Sequence, residues 1–139
     1  MFMKTFRISK WIVDIDKPHS FTYTVDCAKG LYLLAGENDA FNQIWHLPTF
    51  YPAIDGETFI DIVVNELRVS PRYSVLKKWM VKAAGIFDKT TSESYEMLYQ
   101  HEFNYHFDSS KFNKYFDYKP KPYNEGIKET IRFVKNNVL

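Results

Sequence analysis

A tyrosine is followed four residues later by a lysine at Tyr73 with Lys77 and at Tyr115 with Lys119. A phenol held beside an ammonium can exchange a proton more readily, because the positive charge favours the phenolate. Tyr118 with Lys121 is one residue short. With ten tyrosines and 18 basic residues in 139 positions, chance produces such pairs, and neither is assigned a catalytic role. His101 and His106 are five apart in a segment that alternates as a strand does. They point to opposite faces, no third ligand stands at useful spacing, and no metal site is expected. Cys27 falls on an apolar helix face, where an inert buried thiol is the default. Five glycines, none clustered, write neither a GxGxxG dinucleotide turn nor a phosphate-cradling loop, so no cofactor is expected on this chain alone.

The elements that would position these residues are mostly helical. Trp11, Ile12 and Val13 form a short apolar run that suits a strand and ends before Pro18. Thr24 is placed to cap a helix in which Ala28, Leu31, Tyr32 and Ala35 recur, with Cys27 and Leu34 widening the apolar face. That breadth predicts a helix well covered by other structure. Gln43 to Leu47 reads as a strand stopped by Pro48. Asp55 and Gly56 precede a helix with Ile60, Val63, Val64 and Leu67 on one side. "RYSV" is extended, and the helix after it presents Leu76, Trp79, Met80 and Ala83 inward and Lys77, Lys78 and Lys82 to water.

Thr90 with Glu93 has capping-box spacing before a helix carrying Tyr95, Leu98 and Tyr99. "FNYHF" alternates as a strand, and Asp108, Ser109 or Ser110 caps a short helix with Phe112, Tyr115 and Phe116. Pro120 and Pro122 bracket a loop before a last helix. There Ile127, Ile131 and Val134 face inward while Lys128, Glu129, Arg132 and Lys135 face out. Glu93, Glu96 and Lys111 read as cap and surface charges. The expected fold class is α/β or α+β, mostly helical with a few short strands, in a single domain over 1–139.

A net charge of +1, from 18 basic and 17 acidic residues spread along the chain, gives no stripe for nucleic acid or an anionic membrane. No apolar run is long enough to span a bilayer, and "MFMKTFRISK" lacks the apolar stretch of a signal peptide. A single cysteine fits a reducing compartment, and a cytoplasmic location is expected.

Three segments together resemble the NAD-dependent epimerase/dehydratase branch of the extended short-chain dehydrogenase/reductases. The closing one holds Asp108, Ser110, Lys111, Tyr118, Pro120, Glu125, Gly126, Ile127, Thr130, Ile131 and Phe133 in the family's order. "HSFTYTVDCAKGLYLLA" fits an upstream strand-to-helix segment from Phe21 onward, with Tyr23, Asp26 and Ala28 in register. "NQIWHLPT" is similar to the strand that leads into the family's substrate domain. The resemblance covers nearly all of the chain after about residue 10, on the scale of the family's C-terminal half. It lacks the Gly-rich cofactor turn and a Tyr-x-x-x-Lys pair in its proper setting.

The resemblance implies a truncated protein. Residues 1–47 would be a remnant of the nucleotide-binding domain's last strand and helix, and 48–139 the substrate-binding region. NAD(P) is implied for the full-length family. The partner would be a small-molecule substrate, with either an N-terminal cofactor domain in another chain or a homodimer. His19 aligns with an arginine that holds substrate phosphates in the sugar-nucleotide epimerases. A neutral imidazole is a poorer diphosphate clamp than a guanidinium fork. The substrate-binding candidates are His19, Tyr23, His46, Thr49, Met97 and Tyr99, beside Pro48 and Gln100; Trp45 is expected to pack in the core. The alternative is a non-enzymatic binding or interaction module that self-associates through the surface a missing front domain would leave bare.

Overall fold

The computed structural model describes residues 9–86, 93 and 95–137. β1 (Ser9–Ile12) and β2 (Tyr73–Leu76) pair in parallel, with Ser9 opposite Tyr73 and Trp11 opposite Val75. The Val13 N–H continues the ladder to the Leu76 carbonyl at 2.9 Å. The remaining regular structure is helical: α1 (Thr24–Ala35), α2 (Gly56–Leu67), α3 (Lys78–Ala84), α4 (Ser110–Tyr115) and α5 (Tyr123–Asn137). Short 3-10 turns span Asn38–Ala40 and Met97–His101. The fold is thus mostly helical with one small sheet among the described residues, and none of their helices is long and apolar enough to cross a membrane.

Two aromatic clusters make the core. In the first, Phe21 stacks at a tilt on Phe59 with ring centroids 4.7 Å apart, and Trp11 and Tyr123 meet the edges of Phe21. This cluster joins β1, α2 and α5, and Ile60 and Ile131 are buried beside it where α2 packs on α5. α2 starts where the sequence places it, because the Asp55 carboxylate accepts the Thr58 N–H at 2.7 Å and satisfies an orphan donor of the first turn. In the second cluster Phe112 is fully buried between Trp45, Phe116 and Tyr118.

Several expectations are corrected. Gln43 to Leu47 forms no strand and joins no ladder among the described residues. Side-chain contacts hold it instead: the Trp45 indole donates to the Ala40 carbonyl at 2.9 Å, packs on Phe112, Tyr115 and Phe116, and carries the Lys111 ammonium over its ring at 4.0 Å. "FNYHF" is likewise no strand; Tyr105 alone forms an isolated bridge, to His19. Thr24 is the first helical residue of α1, and Tyr23 takes the cap position without a side-chain cap bond.

The apolar face of α1 is uncovered rather than well covered. Leu31 is 57% and Tyr32 80% exposed, while Asp26 and Gly30 are buried. The helix is turned this way by two inward anchors. Asp26 accepts hydrogen bonds from the loop before α5, and Gly30 lies on fully buried Pro48, whose Cδ would stand 2.7 Å from an added Cβ. In α3, Trp79 is 70% exposed and Met80 is also exposed, whereas Lys78, expected in water, is half-buried in a 2.7 Å ion pair with Glu102. In α5, Ile131 is buried, Ile127 and Val134 are half-buried, and Lys128, Arg132 and Lys135 are exposed as the pattern requires. Glu129 turns inward instead, toward Tyr23 and Lys121. Thr90 and the first eight residues lie outside the described residues.

Candidate functional site

A run of short polar bonds fixes the segment around Thr49 against α4. The Thr22 and Thr49 hydroxyls are 2.7 Å apart, and Thr49 also donates to the Leu47 carbonyl. The Ser109 hydroxyl accepts the Thr49 N–H at 3.0 Å and donates to the Thr49 carbonyl at 3.1 Å, so side chain stands in for a strand partner. Asn113 donates to the same hydroxyl at 3.1 Å across one helical turn.

Thr49, Ser109 and Asn113 line a cleft of about 680 Å³ together with Tyr51, His106 and Phe107. Tyr51 and His106 have ring centroids 6.4 Å apart. His46 stacks on Phe107 at 4.4 Å and holds the Asp108 carbonyl through Nδ1 at 2.7 Å. The Ser110 backbone N–H, then its hydroxyl and the nearby His46, hold the Asp108 carboxyl below the usual carboxylate range. This lining combines aromatic faces with a carboxylate, an amide and one imidazole, that of His106. Such a mixture suits a small polar ligand with a flat or ring-shaped face.

The candidates fall into three places. Thr49 lines the cleft, and His46 stands behind its wall, against Phe107 and Asp108. Tyr23 sits at the α1–α5 contact, where its hydroxyl donates to Glu129 at 2.7 Å; Lys121 pairs with the same carboxylate at 2.6 Å. Burial first, and then Glu129, push the Tyr23 phenol up to about 12. Its ring also packs against Gly126, where an added Cβ would stand 3.3 Å away. Tyr23 and Gly126 therefore touch. Tyr23 also lines an apolar groove of about 320 Å³ with Phe21, Phe59, Tyr123 and Ile131.

His19 lies in a third place. It is buried where its segment bridges Ile54 and Tyr105, and its ring centroid is 5.4 Å from that of His101. His101 ends the Met97–His101 turn, on which Met97 and Tyr99 are both more than half exposed. The cleft residues Tyr51, His106 and Asn113 were not among the candidates. The one sequence signal for them is the i, i+4 spacing of Ser109 and Asn113.

The two Tyr-x-x-x-Lys matches are not assembled as an acid/base pair. Tyr73 gives its hydroxyl to Glu57 at 3.2 Å, and that bond raises its pKa. Burial, then Glu37 and Asp39, raise Tyr115. Both shifts run opposite to what proton abstraction near neutrality needs. Cys27 is a free thiol, half-buried on α1. Among the described residues no group of three or more His, Cys, Asp or Glu is arranged to hold a metal ion. No protein-family model matches the chain, and neither a curated protein nor a solved structure matches it.

Proposed function

We propose that the chain is the substrate-binding portion of an NAD(P)-dependent epimerase/dehydratase-type protein. The nicotinamide site would come from a nucleotide-binding unit that docks on α1, and the chain would not be catalytic by itself. The observation that carries this reading is the orientation of α1, which buries Asp26 and Gly30 and leaves Val25, Leu31 and Tyr32 in water. An apolar helix face of this kind is what a second packed layer covers. The reading also draws on the contacts between resemblance positions, Tyr23 with Gly126 and Asp26 with Tyr118. The cleft beside Thr49 is then the place for the small-molecule substrate, and a second copy of the chain can cover α1 when the nucleotide-binding unit is absent.

The test is NADH binding followed by fluorescence anisotropy. The chain alone should leave NADH free. Addition of a strand, Gly-rich turn and helix unit from an extended short-chain dehydrogenase should give a complex that binds it, and Leu31→Lys should block assembly. Micromolar NADH binding by the chain alone, or assembly indifferent to Leu31→Lys, overturns the reading.

A further inference from the structure

His19 is a buried titratable group that the cleft does not use. It is 9% exposed, and among the described residues its Nε2 has no hydrogen-bond partner. Its ring lies 5.4 Å from His101 and 6.3 Å, stacked, from Tyr105. The backbone around it ties three stretches of chain together. His19 N–H donates to the Ile54 carbonyl, Ser20 N–H to the Tyr105 carbonyl and Tyr105 N–H to the Pro18 carbonyl, each at 2.9 Å. The Ser20 hydroxyl then accepts the Phe107 N–H at 3.0 Å, which reaches the cleft wall.

We propose that His19, packed against His101, is a proton-operated latch, in which protonation of His19 releases the 101–107 segment from the 18–20 strap and loosens one wall of the Thr49 cleft. A charge placed on His19 would sit buried with no acceptor at Nε2 among the described residues, and a charge on His101 would repel it at short range. The other ionisable groups nearby do not compensate it. In the 101–105 segment, Glu102 is taken by Lys78; beside Ile54, Asp55 caps α2 through the Thr58 N–H. In the 14–18 turn, Asp14 accepts the Asp16 N–H at 3.2 Å, and neither these two nor Lys17 forms an ion pair with the imidazole among the described residues. Burial first, and then the His101 charge, hold His19 below its ordinary 6.5. The opened chain therefore binds the proton more readily than the closed one. Closure is complete above the ordinary imidazole value and weakens as the pH falls below it.

The experiment is amide hydrogen exchange on the intact chain at about pH 7.5 and about pH 5.5, with each rate corrected for intrinsic exchange. Protection of the Ser20, Tyr105 and Phe107 amides should fall at the lower pH, by up to about tenfold per pH unit for each proton taken up. The Ile131 amide of α5 should keep its protection. His101→Gln should reduce the loss. Nuclear magnetic resonance titration of the His19 ring in the unmodified chain should give a pKa below the ordinary value, and it decides the matter if the variant does not fold. A uniform loss of protection, no loss, or a His19 ring that titrates at or above the ordinary value overturns the proposal.

Discussion

The Tyr118 hydroxyl donates a 2.8 Å hydrogen bond to Asp26 Oδ1, joining residues 92 positions apart, while the Lys121 N–H donates to Oδ2 at 2.7 Å. Asp26 is 4% exposed, so both carboxylate oxygens are committed to this loop rather than to water. Asp26→Ala leaves two half-buried donors without their partner and should destabilise the chain by about 1–3 kcal/mol. Tyr118→Phe removes one donor together with its demand and should cost about 1 kcal/mol. Urea denaturation of the two single variants and the double variant should give a coupling energy of about 1 kcal/mol. Strict additivity would show that the bond does not hold α1 to the loop.

The same bond sets an alkaline limit. Burial, then Asp26, raise Tyr118 from 10.0 to about 12, and Tyr23 is raised to the same range. The fold favours the neutral phenols, so this contribution is whole below pH 10 and is lost as the pH rises toward 12. A tyrosinate absorbance titration should show a late-ionising class that Tyr118→Phe diminishes. Ionisation of every tyrosine near the ordinary value would exclude the predicted burial.

Gly30→Ala should act against helix propensity. Alanine favours a helix interior over glycine by about 1 kcal/mol. Here the new Cβ would meet Pro48 Cδ at 2.7 Å, and Pro48 is fully buried with no room to retreat. A net destabilisation of about 1–3 kcal/mol is expected from the overlap. A raised melting temperature would mean that α1 is not seated on Pro48.

Leu31→Lys and Tyr32→Lys change side chains that are 57% and 80% exposed. Each should alter unfolding free energy by no more than about 0.5 kcal/mol. Both should abolish self-association seen by sedimentation equilibrium and reduce binding of an apolar dye. Undiminished dimerisation would move the interface away from α1.

Helix positions were legible where the signal is local. Asp55 caps α2 by a bond to its own third residue, and the apolar spacing of Ile127, Ile131 and Val134 needs only the helical period to be read. What could not be read is which neighbour each face meets. The apolar positions of α1 predict a covered stripe, yet Asp26 turns the helix because its partners lie in a loop 92 to 95 residues away. The "QIWHL" run has strand-like residues, but a strand also needs a neighbour, and the nearest such bonds are those of Ser109 to Thr49, two residues beyond it. The cleft was partly legible for the same reason. Thr49 ends the run that reads as a strand, whereas Tyr51, His106 and Asn113 join it only through tertiary packing.

The bonds that seat α1 also set the order in which the chain can fold. Tyr23 reaches Glu129 across 106 positions and Asp26 reaches Tyr118 across 92. Closing so long a stretch costs entropy before any contact repays it, which slows folding. During synthesis Tyr23 and Asp26 must wait without these partners until the Tyr118 loop and α5 have left the ribosome. This interval is when the nascent chain is most open to a chaperone.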